Sequence, residues 1–74
     1  MNTQFESTNT LSPRELQMLL LMAQGRRDKE SADAHGLSLS TVTNYIRRAL
    51  RKLGALGRPH AVTLLHQRGY LSAL

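Results

Sequence analysis

The sequence contains no cysteine and no tryptophan, and it has only one phenylalanine, two tyrosines and two prolines. Without cysteine there can be no disulfide framework and no thiolate metal site. The longest uninterrupted apolar run, Met18 to Ala23, is far shorter than the ~20 residues that a membrane-spanning helix needs. The first residues, Met1-Asn2-Thr3-Gln4, lack the basic-then-apolar order of a secretory signal, which predicts a cytoplasmic location. Acidic residues are also scarce, five against ten Lys and Arg, for a net charge of +5 over 74 residues. A chain of this length buries only about 60–65% of the surface it exposes when unfolded, so its core must be small.

The positive charge is concentrated. Residues 26–58 hold Arg26, Arg27, Lys29, Arg47, Arg48, Arg51, Lys52 and Arg58 against Asp28, Glu30 and Asp33, while Arg14 and Arg68 balance Glu6 and Glu15. One internal segment thus carries the whole excess, as expected of a surface that faces a polyanion. Eight of the ten cations are arginine, which favours forked contact with anions.

Residues 1–10 are polar apart from Phe5 and read as a flexible arm, with the folded domain over residues 11–74. Ser12 followed by Pro13 and Glu15 has the order of a capping box with proline in the first turn, and Leu11 with Leu16 has the spacing of a hydrophobic staple. The first helix is predicted over about 13–24, with Leu16, Leu19, Leu20 and Ala23 as its buried stripe and Gly25 as its stop. Asp28 is the expected cap of a second helix from Lys29 to about His35, ended by Gly36. Ser38 would cap a third, from about Leu39 to Leu53, whose apolar positions Leu39, Val42, Ile46, Ala49, Leu50 and Leu53 share one face. A fourth is predicted over His60 to Arg68 behind Pro59, with Tyr70, Leu71 and Leu74 as an apolar tail. No stretch alternates long enough to read as a strand. The fold class is therefore all-α, with four helices joined by short loops.

Helices two and three, joined through a glycine-containing turn, have the organisation of a helix-turn-helix, whose second helix enters the DNA major groove. The groove is about 12 Å wide and a helix with its side chains about 10–12 Å, so a single face meets the base edges. On that face Thr43, Asn44 and Arg47 are the base-reading candidates: arginine forks onto guanine, asparagine onto adenine, and threonine offers a hydroxyl and a methyl. Lys29, Ser40, Thr41, Tyr45, Arg48, Arg51 and Lys52 are the phosphate-contacting candidates. The fourth helix has more apolar residues than one small core requires, and Val62, Leu65, His66 and Leu71 are the candidate dimer contacts.

Enzyme chemistry is not expected. His35, His60 and His66 do not converge, the carboxylates are scattered, and there is no phosphate-binding glycine loop and no Gly-x-Ser-x-Gly elbow. No metal or other cofactor is predicted.

Residues 11–71 resemble the DNA-binding domain of the LuxR-type transcriptional regulators, a domain that ends many response regulators and also occurs alone in a small sporulation regulator. The resemblance rests on Leu11, Pro13, Arg14, Glu15, Leu19, Gly25, Lys29, Glu30, Ala32, Leu37, Ser38, Thr41, Val42, the Lys52-Leu53-Gly54 run, Arg58, Ala61 and Val62, in order and without gaps. It implies a four-helix domain whose third helix reads DNA and whose fourth forms a two-fold dimer on an inverted-repeat site. It also places Thr43, Asn44 and Arg47 at the bases and Lys29 at the backbone, and an ion pair of Glu15 with Lys29 or Arg58 is a further expectation.

The chain departs from the family pattern at Thr43, usually basic, at Tyr45, usually histidine, and at Ser31 and His35, usually branched apolar residues. Ser31 and His35 are expected to be hydrogen-bonded or half exposed, because an unpartnered buried hydroxyl or imidazole costs roughly 1–3 kcal/mol. The reading is a sequence-specific regulator that binds double-stranded DNA as a homodimer. The alternative is a small interaction protein that pairs with a larger LuxR-type regulator and blocks or redirects it. RNA polymerase is a further candidate partner. With nothing resembling a sensor before Leu11, control is expected from concentration, promoter competition or a separate protein.

Overall fold

The computed structural model describes residues 10–71. Among them are four helices and no strand: α1 (Pro13–Ala23), α2 (Asp28–His35), α3 (Leu39–Leu53) and α4 (Arg58–Gln67). The expectations placed on residues 1–9, including Phe5, and on Leu74 lie outside the described residues. The four-helix, all-α architecture agrees with the sequence reading, with boundaries shifted by one or two residues. The cap of α2 is Arg27 rather than Asp28, which is the first helical residue, and α4 begins at Arg58.

α1 starts where its capping box predicts. The Glu15 N–H donates to Ser12 Oγ at 3.1 Å and the Ser12 N–H to Glu15 Oε1 at 2.9 Å. Its buried face is rotated from the expected stripe. Met18 and Leu19 are wholly buried and Glu15 nearly so, whereas Leu16, Leu20 and Ala23 are half-buried against the core. Spacing showed that α1 is amphipathic but not which residues turn inward; Glu15 shares the buried side with Met18 and Leu19 and meets Lys52 and Arg48 of α3.

α3 packs against each of the other three helices and so forms the centre of the domain. Val42, Ile46, Ala49 and Leu53, at steps of four, three and four, are its buried side. Leu50 is half-buried, and Leu39, expected inward, is 52% exposed at the start of the helix. α2 contributes only Ser31 and Ala32 to the interior, and His35 is half-buried. No fully buried side-chain nitrogen or oxygen among the described residues lacks a hydrogen-bond partner, so Ser31 does not leave an orphaned hydroxyl.

The turn between α2 and α3 is fixed by Gly36, which lies in the left-handed region at φ 64°. The Leu37 N–H donates to the Ala32 carbonyl at 2.9 Å, five residues back, so the last turn of α2 is closed and the chain is aimed into α3. Ser38 then caps α3 by accepting the Thr41 N–H at 3.1 Å. α4 lays Ala61 and Leu65 on the core, and Leu71 folds back onto the same cluster.

Candidate nucleic-acid interface

Burying one side of α3 leaves the other in solvent. Asn44, Arg47, Arg48 and Arg51 are exposed, while Thr41, Thr43 and Tyr45 are half-buried beside them. Asn44 and Arg47 stand one turn apart and touch: Arg47 Nη1 donates to Asn44 Oδ1 at 3.2 Å. That bond occupies the amide oxygen and leaves the amide N–H groups of Asn44, with the rest of the guanidinium, directed outward as donors.

Thr43 is differently placed. Its hydroxyl donates to Asp28 Oδ2 at 3.1 Å. Asp28 is also gripped by the Arg58 fork, with Nη1 to Oδ1 and Nη2 to Oδ2 both at 2.9 Å. One carboxylate thus joins the first residue of α2, the first residue of α4 and the exposed side of α3. The Arg58 fork, aided by the Thr43 hydroxyl, holds the Asp28 carboxyl below its ordinary value against the opposing effect of burial. Asp28 and Arg58 were missed as site residues in the sequence. They are fifteen and thirty residues from the groups they join or serve, so no local spacing signals them.

The phosphate candidates separate into free and engaged groups. Ser40 and Thr41 gather around the cap: Ser38 Oγ donates to Thr41 Oγ1 at 2.8 Å and lies 3.3 Å from Ser40 Oγ. Because Thr41 accepts there, its own proton is left for another acceptor. Arg51 is exposed, and neither it nor Arg47 has an ion pair among the described residues. Lys29 lies 3.6 Å from Asp33 in an exposed i,i+4 pair, which holds it weakly.

Lys52 turns inward. Its ammonium donates to Glu15 Oε1 at 2.8 Å and to the Thr10 carbonyl at 3.4 Å, and the Glu15 side chain is only 6% exposed. Arg48 approaches the other oxygen of Glu15 at 3.5 Å while its guanidinium lies 5.2 Å from the centre of the Tyr45 ring. Lys52 is therefore engaged inside the domain, as the counter-ion of a nearly buried carboxylate. The expected ion pair is corrected as well: Glu15 pairs with Lys52 and Arg48, Lys29 with Asp33, and Arg58 with Asp28. Burial pushes the Glu15 carboxyl up, but the hydrogen bonds from Lys52 and Ser12 outweigh it and bring the net shift down. Arg26 and Arg27, unassigned in the sequence reading, are exposed in the turn before α2 and add two cations to its amino end.

Of the dimer candidates, Leu65 and Leu71 belong to the core, at 0% and 5% exposure. They are corrected to core residues, since side chains already enclosed by their own chain cannot cover a partner. Val62 is half-buried, packing partly against the core, and His66 is exposed; with Pro59 and Thr63 they lie at i, i+3, i+4 and i+7 along one side of α4. Among the described residues no three His, Asp or Glu side chains come together as metal ligands, and no helix is long and apolar enough to cross a membrane.

Comparison with known proteins gives the same picture. Residues 9–65 match the family described as bacterial regulatory proteins, luxR family. The chain is 38% identical over 68 residues to the spore germination protein GerE of Bacillus subtilis, covering 92% of each. It is 39% identical over 66 residues to the HTH-type transcriptional activator RamA of Corynebacterium glutamicum, and 35% identical over 66 residues to the transcriptional regulatory protein DesR of Bacillus subtilis. It spans only 24% of RamA and 33% of DesR. A helix-turn-helix formed by α2 and α3, enclosed by α1 and α4, and this match over most of its length establish that the chain belongs to the luxR family of bacterial regulatory proteins.

Proposed function

We propose that the chain is a transcriptional regulator that binds double-stranded DNA sequence-specifically, with α3 in the major groove. The observation that carries this reading is the exposed side of α3, where Asn44, Arg47 and Arg51 stand in solvent with no carboxylate neutralising either arginine among the described residues. Asn44 and Arg47 read base edges, with Thr43 beside them. Ser40, Thr41, Lys29, Arg51 and the exposed edges of Arg48 and Tyr45 meet phosphates on either side. GerE, RamA and DesR carry regulatory or germination names, and the luxR family as a whole is regulatory, which agrees with this use of the surface.

A single helix contacts few base pairs, so a homodimer on an inverted repeat follows from the need for more contacts. The outward side of α4, with Val62 and His66, is the surface we assign to it. Leu56, two residues before α4, is a further apolar side chain left in solvent, at 93% exposure. The reading as a pure antagonist of a larger regulator is the weaker one, because it gives no use to Arg47 and Arg51, exposed arginines with no ion pair among the described residues. The chemistry is that of binding rather than catalysis, and the place of action is the cytoplasm.

The test is enrichment of bound duplexes from a random pool, followed by titration with Arg47→Ala. The variant should lose ~1–3 kcal/mol on the enriched site and relax the preference at one base pair. Wild-type protein that enriches no sequence would refute the proposal.

A further inference from the structure

We infer that Asp28 is a positioning residue for base recognition: it holds the Thr43 hydroxyl as an internal donor, so that Thr43 meets the groove with its methyl and selects a thymine. The inference rests on the DNA-binding reading above and names what one position of the site reads.

A threonine hydroxyl has one proton to give. Here that proton goes to Asp28 Oδ2, 3.1 Å away. The acceptor is itself fixed, because the Arg58 fork occupies both carboxylate oxygens at 2.9 Å and sets the plane of the group. The Asp28 side chain is 17% exposed, so water competes little for it. A hydrogen bond to a carboxylate is roughly twice as strong as one between neutral groups. Moving the proton from Asp28 to a base O4, O6 or N7 would therefore exchange a stronger bond for a weaker one and leave Oδ2 with the Arg58 fork alone.

Threonine in a helix ordinarily divides between two χ1 rotamers. The bond to Asp28 selects one, with Oγ1 toward α2. What Thr43 keeps for a ligand is its methyl and the acceptor lone pairs of an oxygen turned toward α2, beside Asn44 and Arg47 on the same side of α3. In the major groove the apolar partner of a methyl is the C5-methyl of thymine.

The test replaces each thymine of the enriched half-site singly by deoxyuridine, which removes only that methyl, and measures binding by fluorescence anisotropy. One replacement should weaken wild-type binding about four-fold, the value of one methyl-sized group removed from water. Thr43→Ser, which keeps the hydroxyl but lacks the methyl, should bind the two duplexes equally. Thr43→Val, which keeps methyls but not the hydroxyl, should retain the preference. Asp28→Ala, checked for folding by its melting curve, should bring the thymine-to-uracil ratio towards one by releasing the rotamer, a change that mere loss of stability would not produce at a single base pair.

A thymine-to-uracil ratio of one at every position in the wild type, or Thr43→Val behaving like Thr43→Ser, would overturn the inference while leaving DNA binding intact. The Thr43 pair decides whether a methyl is read there even if Asp28→Ala does not fold. Arg58→Lys, which loosens the carboxylate without removing it, then tests Asp28 by the same ratio. An unchanged ratio in a folded Asp28 or Arg58 variant would overturn the positioning role. A wild-type protein that enriches no duplex would overturn both.

Discussion

Lys52→Met separates a structural role from a DNA-contacting one for the same cation. The Lys52 ammonium is 2.8 Å from Glu15 Oε1, and the two side chains are 26% and 6% exposed. Methionine keeps the apolar stem but leaves a nearly buried carboxylate with the Ser12 N–H and with Arg48, whose side chain is 50% exposed and 3.5 Å away. A hydrogen bond to a charged group is worth about 1.5–3 kcal/mol, and partial replacement by Arg48 favours the lower half of that range. A fall of ~2 kcal/mol corresponds to roughly 8–16 °C in melting temperature for a domain of this size. It is a large share of a total on the order of 4–11 kcal/mol at this chain length. Urea unfolding at pH 7 measures the loss, and Glu15→Gln added to Lys52→Met should recover part of it, because the unpaired buried charge is then gone. In DNA titrations at several salt concentrations, Lys52→Met should leave the log–log slope unchanged, whereas Arg51→Ala should reduce it by ~0.9. An unaltered urea midpoint with a slope reduced by ~0.9 would show that Lys52 serves a phosphate and would refute the reasoning.

Acid should weaken the fold through the same carboxylates. Glu15 and Asp28 are both held below their ordinary values of 4.5 and 3.8, so they stabilise the folded state above those values and the stabilisation is lost as pH falls through the folded-state values. The urea midpoint, followed from pH 7 downward, should decline below about pH 4, and Glu15→Gln should flatten that decline. Gly36→Ala should cost about 1–2 kcal/mol with an unchanged denaturant slope, because the added Cβ meets nothing within 4 Å and the whole effect comes from φ at 64°. Val62→Glu should weaken binding to a two-half-site duplex much more than to a single half-site, measured side by side by anisotropy; an equal loss on both would remove α4 from the dimer.

Much of this protein was legible in one dimension because the forces involved are local. Ser12 with Glu15 and Ser38 with Thr41 act within one helical turn, and Gly36 and Gly54 stop helices by their own backbone freedom, so the order and extent of the helices could be read from spacing alone. The apolar period of α3 likewise named its buried side and, by exclusion, the side that carries Asn44 and Arg47. Proximity across the chain was not legible. That Glu15, while completing its capping box, would also meet Lys52, thirty-seven residues away, or that Asp28 would join Arg58 to Thr43, depends on how helices are set against one another. The same packing moved Leu65 and Leu71 from an expected interface into the core.

The sequence by itself determined four helices and a cationic exposed side on the third, since backbone hydrogen bonding and amphipathic period act over a few residues. Only the tertiary structure decided which cations and hydroxyls remain available to a ligand. A carboxylate drawn into the fold must be met by whatever donor the packing brings within about 3 Å, and Glu15 and Asp28 thereby engage Lys52, Arg58 and the Thr43 proton.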